Sequence, residues 1–150
     1  MQKLNLPSYD FKIIEDENNK LQILDELRRK YVRLTPEEWV RQNFIKYLIE
    51  DREFPKGLIA IEMAVNISKN KNRCDVACFN KEGKAVLIIE CKAPKVKITK
   101  EVFDQAARYN MNLKTQYMIM TNGLHHYCCK VDYEKRSVIY LKEIPKFKEI

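Results

Sequence analysis

The chain has 150 residues, 45% of them hydrophobic, enough for one ordinary core and too little for two. With 28 Lys and Arg against 21 Asp and Glu its formal charge is +7, which favours polyanionic partners and which a solvated basic surface would also produce. Its three glycines, Gly57, Gly83 and Gly123, cannot make a GxxxxGKS/T or GxGxxG loop, so an ATP-driven motor and a Rossmann site are excluded and no nucleotide cofactor is expected. The five cysteines show no CxxC spacing, Met1 to Pro7 lacks the apolar stretch of a signal peptide, and no apolar run reaches membrane-spanning length. A cytoplasmic, reduced protein without membrane attachment is expected.

Residues 1–150 read as one domain. Phe11–Ile14 and Lys20–Leu24 flank the polar Glu15–Asn19 segment and predict a β-hairpin in an N-terminal extension, residues 1–33. A core over residues 34–131 opens with a helix-start signature: Thr35 as N-cap, Pro36 in the first turn, Glu38 closing a capping box, and Leu34 with Trp39 as a staple. The helix should run from Pro36 to about Glu50 and bury Val40, Phe44, Tyr47 and Leu48. Leu58–Val65, Cys74–Phe79 and Ala85–Lys92 read as three strands of an antiparallel meander, the first two joined by a polar Ser68–Asn72 loop. Ala93-Pro94 should end the third. Thr99 is placed to cap a second helix through about Leu113 that buries Val102, Ala106, Tyr109 and Leu113. Gln116–Thr121 and Leu124–Val131 bracket the hairpin turn signal Asn122-Gly123. Residues 132–150 should hold a last strand, Ser137–Leu141, and a basic tail.

The chemistry concentrates at the third strand. Val86-Leu87-Ile88-Ile89 is apolar enough to be buried on both faces, yet it runs into Glu90-Cys91-Lys92. Glu90 and Lys92 share one face and Cys91 points to the other. With Asp75 on a neighbouring strand, this is the arrangement of a Mg²⁺-dependent phosphodiester-cleaving site; a solvated strand-end ion pair is the plain alternative. His125-His126 and Cys128-Cys129 cannot each chelate one ion, because neighbours on a strand face opposite ways. Lys95, Lys97 and Lys100 could meet phosphates or simply face water.

Four stretches together carry a resemblance: Leu34-Thr35-Pro36-Glu37-Glu38-Trp39-Val40-Arg41, Arg73-Cys74-Asp75, Ile89-Glu90-Cys91-Lys92-Ala93-Pro94 and Asp104-Gln105-x-x-Arg108-Tyr109-Asn110. Residues 33–131 resemble the N-terminal nuclease domain of type I restriction enzyme R subunits, in a short stand-alone form. The resemblance implies an α/β fold of the PD-(D/E)xK restriction-endonuclease-like kind: helix, three-stranded antiparallel meander, helix, further strands. Cys74 stands where that pattern writes proline. The resemblance further implies a Mg²⁺ site (Mn²⁺ as substitute) built from Asp75, Glu90 and the main-chain oxygen of Cys91, with Lys92 beside it. It places a first-helix acid at the metal, for which Glu37 is the candidate. Complementing the helix dipole is an equal alternative for Glu37, and Glu62 is a second candidate for the place. It puts Gln105 and Tyr109, four apart on one helix face, near the metal and the DNA, where composition alone would make them a boundary amide and a core aromatic. DNA and restriction-modification subunits are the implied partners. The function implied is a Mg²⁺-dependent DNA endonuclease; a non-cleaving nucleic-acid-binding or assembly module on the same fold is the alternative.

Overall fold

The computed structural model describes residues 1–62, 64–67, 70–111 and 114–150, with the side chains of 64–67, 70–73 and 109 outside the description. Strands β1 (Ile13–Glu15), β2 (Leu21–Asp25) and β3 (Lys30–Arg33) form an antiparallel sheet in the order β1-β2-β3. The expected hairpin therefore gains a third strand. Lys30-Tyr31-Val32-Arg33 offers one apolar pair between two charges, too little alternation to announce itself.

Helix α1 (Pro36–Glu50) begins at the foreseen cap, the Thr35 hydroxyl accepting the Glu38 N–H at 3.1 Å. The return half of the capping box does not form. The Glu38 carboxylate is instead taken by Arg28, Arg41 and Gln42. Val40, Phe44 and Leu48 are buried as expected and Tyr47 partly so, but the helix also buries Glu38, Arg41, Gln42 and Asn43.

The main sheet runs β11-β10-β9-β8-β7-β4. Its strands are β4 (Ile59–Ile61), β7 (Val76–Phe79), β8 (Ala85–Cys91), β9 (Tyr117–Thr121), β10 (His126–Asp132) and β11 (Ser137–Leu141). Two findings break the single strand expected over Leu58–Val65. Glu62 turns the chain with φ +52°, and β5 (Ala64–Ile67) and β6 (Asn70–Arg73) then pair in a separate hairpin. Residues 70–72 of the expected Ser68–Asn72 loop are thus strand, and Ser68 and Lys69 lie outside the described residues. The β4-β7-β8 meander is antiparallel, and β9 joins β8 in parallel through the crossover helix α2 (Lys100–Asn110).

α1 and α2 cover opposite faces of the sheet. Leu87, Ile89, Cys91 and Ile119 meet Val40, Phe44 and Leu48 of α1, whereas Met118, Met120 and Cys129 meet Phe103 and Ala107 of α2. The buried face of α2 is thus one residue on from the one expected. Val102 is exposed, Ala106 is at the margin, and Leu113 lies outside the described residues. Two apolar rows, 102/106/109 and 103/107, overlap on this helix, and the bulkier Phe103 decides between them. The Thr99 cap is present, its hydroxyl accepting the Val102 N–H at 3.2 Å.

Asn122-Gly123 does not make a two-residue turn. The register Thr121↔His126 leaves a four-residue loop, held by the Asn122 carboxamide oxygen accepting the N–H groups of Leu124 and His125. Gly123 has φ +84°, and an added Cβ would lie 2.7 Å from a Leu4 methyl, so the glycine admits the N-terminal segment. The C-terminal tail also packs: Phe147 meets Phe54 edge-on and its N–H donates to the Arg52 carbonyl. Among the described residues no helix is long and apolar enough to cross a membrane.

His126 ties the N-terminal segment to the sheet. Its Nε2 lies 2.9 Å from the Asn5 carbonyl and must donate; Nδ1 of the neutral ring therefore accepts from the Thr121 hydroxyl at 2.7 Å. Burial lowers the His126 pKa, and the Asn5 carbonyl opposes this only in part. Protonation then favours the unfolded chain, so the stability contributed by neutral His126 is complete above the ordinary imidazole value and is lost as pH falls through the depressed one. The melting temperature should drop between about pH 7.5 and about pH 5.5, and drop less in His126→Gln. Equal drops in the two proteins would contradict this role.

Candidate active site

Asp75 lies just before β7 and Glu90 at the penultimate position of β8. The register Val76↔Ile89 sets them opposite one another at the same end of the sheet. The Cys91 N–H donates to Asp75 Oδ2 at 2.7 Å, so the strand bearing Glu90 also fixes the Asp75 carboxylate. The Lys92 N–H donates to the Thr121 carbonyl at 2.8 Å, and its ammonium lies 2.8 Å from Glu90 Oε1. Glu90 and Lys92 do share a face, and both side chains are more than a third exposed. The Lys92 pKa is raised, first by its hydrogen bond to Glu90 and further by the charges of Glu90, Asp75 and Glu37, so it is cationic at neutral pH. Cys91 turns its side chain the other way into the core, where burial and the Asp75 charge push the thiol well up. It is no nucleophile.

The centre of the cluster is a residue to which the sequence assigned no role. Arg41, on α1 and only 6% exposed, directs Nη1 at Glu38 Oε2 (2.6 Å) and Glu62 Oε1 (3.5 Å). Its Nη2 lies 3.4 Å from both Glu37 Oε1 and Asp75 Oδ1. Burial works against its charge, but Glu38, Asp75 and Glu62 outweigh burial and the pKa is raised. Its Nε is buried without a partner among the described residues. Asp75 is therefore already compensated by a protein cation. The first-helix acids Glu37 and Glu38 stand four and three positions before Arg41, a spacing that could have flagged the pairings. Glu37 and Glu62 both reach this guanidinium, so neither of the two candidates for the third carboxylate is excluded by position.

Gln105 is exposed on α2, two residues from both Phe103 and Ala107 and hence on the helix side away from the sheet. No hydrogen bond among the described residues joins it to the carboxylates; the Tyr109 side chain lies outside the description. Among the described residues no three His, Cys, Asp or Glu side chains are grouped to hold a metal ion. A cation at Asp75 and Glu90 would need main-chain oxygen or water to complete its shell.

Comparison with known proteins decides the family. Residues 36–145 match the model for the type I restriction enzyme R protein N terminus (HSDR_N). The chain belongs to this R-protein N-terminal family. The fold is similar to that of a solved HsdR-subunit fragment of a type I restriction enzyme from Vibrio vulnificus YJ016, with a TM-score of 0.51 and 16% identity over 75% of this chain. The aligned part is 24% of that chain, so this sequence spans about a quarter of the restriction subunit fragment it resembles. No curated protein sequence matches. The HSDR_N match starts at Pro36 and so leaves the N-terminal sheet outside it.

The Arg41 cluster makes a stability prediction. Removing one partner of a buried ion pair leaves uncompensated charge, so Arg41→Met should lower the unfolding free energy by about 3 kcal/mol. Adding Glu38→Gln should recover part of that loss, because the two changes share one pairing. Urea unfolding of the single and double variants measures both, and a loss under about 0.5 kcal/mol for Arg41→Met would mean the cluster is effectively solvated.

Proposed function

We propose that this HSDR_N chain is a divalent-metal-dependent nuclease domain of the PD-(D/E)xK kind, cutting DNA in a restriction context. The observation that supports the reading is that the β7–β8 register sets Asp75 opposite Glu90 at one open sheet end, with a charged Lys92 against Glu90. The donor set suits Mg²⁺ or Mn²⁺: hard carboxylate oxygens, with Asp75 Oδ1 3.4 Å from Arg41 Nη2 and Glu90 accessible to solvent. The Cys91 carbonyl, on the residue whose N–H holds Asp75, is the proposed third ligand. Bound there, the ion would polarise the scissile phosphate and acidify a coordinated water. Lys92, cationic at neutral pH, would stabilise the charge that builds on the phosphate and is not the group that takes a proton. The exposed Lys95, Lys97 and Lys100 follow directly and suit the approaching backbone of a polyanion. Gln105 and Tyr109 are assigned to substrate contact, since exposed Gln105 does not touch the carboxylates. DNA is the proposed substrate, and restriction-modification subunits are the proposed partners.

One observation favours a second reading. The carboxylates Asp75, Glu90 and Glu38 each have a protein cation, an arrangement that also suits a non-cleaving DNA-binding or assembly module. Cleavage of supercoiled plasmid separates the two. The wild type should nick DNA with Mg²⁺ or Mn²⁺ and stop in EDTA. Lys92→Ala should lose about a hundredfold in rate, while its DNA affinity changes by less than about threefold, as for one phosphate contact among several. DNA binding with no metal-dependent cleavage by the wild type would select the module instead, and undiminished turnover in Lys92→Ala would remove that residue from the chemistry.

A further inference from the structure

The N-terminal sheet lies outside the region matched to the family, yet it sends a side chain into the carboxylate cluster. Arg28 sits in the turn between β2 and β3. Asp25 anchors it: this carboxylate is fully buried, accepts the N–H groups of Leu27 and Arg28 at 2.9 Å and Gln42 Nε2 at 3.0 Å, and pairs with Arg28 Nε. So held, the guanidinium presents its two remaining nitrogens forward. Nη2 donates to Glu38 Oε1 at 2.6 Å, and Nη1 lies 3.5 Å from Glu62 Oε2.

From there the contacts continue in an unbroken series. Glu38 gives its other oxygen to Arg41 at 2.6 Å, Arg41 gives its other terminal nitrogen to Asp75 Oδ1 at 3.4 Å, and Asp75 Oδ2 accepts the Cys91 N–H at 2.7 Å. Glu62 closes a second branch, one oxygen facing Arg28 and the other Arg41, from a backbone held at φ +52° directly after β4. Such a conformation is uncommon for a residue with a side chain and persists where the surroundings over-determine it. Each guanidinium thus spans at least two carboxylates, directing separate N–H groups of its planar fork at each, where an ammonium would act as a single point charge.

We propose that Arg28 is a positioning residue of the active site, supplied by the N-terminal sheet and acting through Glu38 and Arg41 on the orientation of Asp75. The proposal rests on the nuclease reading, because it gives Asp75 a geometry to keep. Groups that orient metal-ligating side chains typically change metal affinity or activity by about tenfold to a hundredfold when altered. A purely structural Arg28 would affect melting temperature alone.

The test uses the full chain and three variants: Arg28→Lys, Glu38→Gln and the double variant, assayed well below the lowest melting temperature. Lysine keeps the charge, so a change in cation affinity reports geometry and not lost repulsion. Arg28→Lys should weaken Mn²⁺ binding in calorimetry, or lower kcat for plasmid cleavage, by about tenfold, with KM for DNA within about twofold. The double variant should be no worse than Glu38→Gln alone, because both act along one path. Wild-type Mn²⁺ affinity and kcat in Arg28→Lys, or losses that add in the double variant, would overturn the proposal. A wild type that neither binds Mn²⁺ nor cuts DNA would overturn the nuclease reading itself, and this inference with it.

Discussion

A buried guanidinium has to be surrounded by negative charge, and in this protein that requirement organises the end of the molecule where the chemistry is proposed. An unpaired arginine as enclosed as Arg41 would cost several kcal/mol. Its partners come from separate parts of the chain: Glu37 and Glu38 from its own helix, Glu62 from the turn after β4, Asp75 from the entry to β7. Meeting that need ties α1 to the sheet, since a shift of one helical turn would take Arg41 away from Glu62 and Asp75. Arg28 extends the same constraint to the N-terminal sheet.

The elements legible in the sequence were those specified locally. α1 started and ended as Thr35, Pro36 and the apolar spacing require, and β8 followed from the unbroken apolar run Val86-Leu87-Ile88-Ile89. Elements specified by distant contacts were less legible. The α2 face depended on whether Phe103 or Val102 met Met118 and Cys129 across the sheet, and the 122–125 loop on a side-chain turn at Asn122 that competes with the Asn-Gly signal. The break at Glu62 had no local marker, because positive φ at glutamate is imposed by its surroundings.

The site divides in the same way. The acid-x-Lys spacing drew attention to Glu90 and Lys92, and their contact is a consequence of strand geometry alone. Asp75 lies close by because β7 and β8 pair in one register. The arginines were not legible as part of the site. Arg41 lies inside the family-like stretch Leu34–Arg41 without a role assigned to it, and Arg28 lies in the N-terminal extension beyond the expected hairpin. Long-range ion pairs leave no periodic trace. Asp75 is a charge already held by the protein, so the proposed metal ion would have to share it with Arg41.

That competition can be observed directly. Crystals grown with Mn²⁺ and measured for anomalous scattering locate the ion without reliance on activity. One peak is expected, bounded by the carboxylates of Asp75 and Glu90 and the Cys91 carbonyl, with Lys92 displaced from Glu90. No peak there, with Asp75 still on Arg41 and Glu90 still on Lys92, would contradict it.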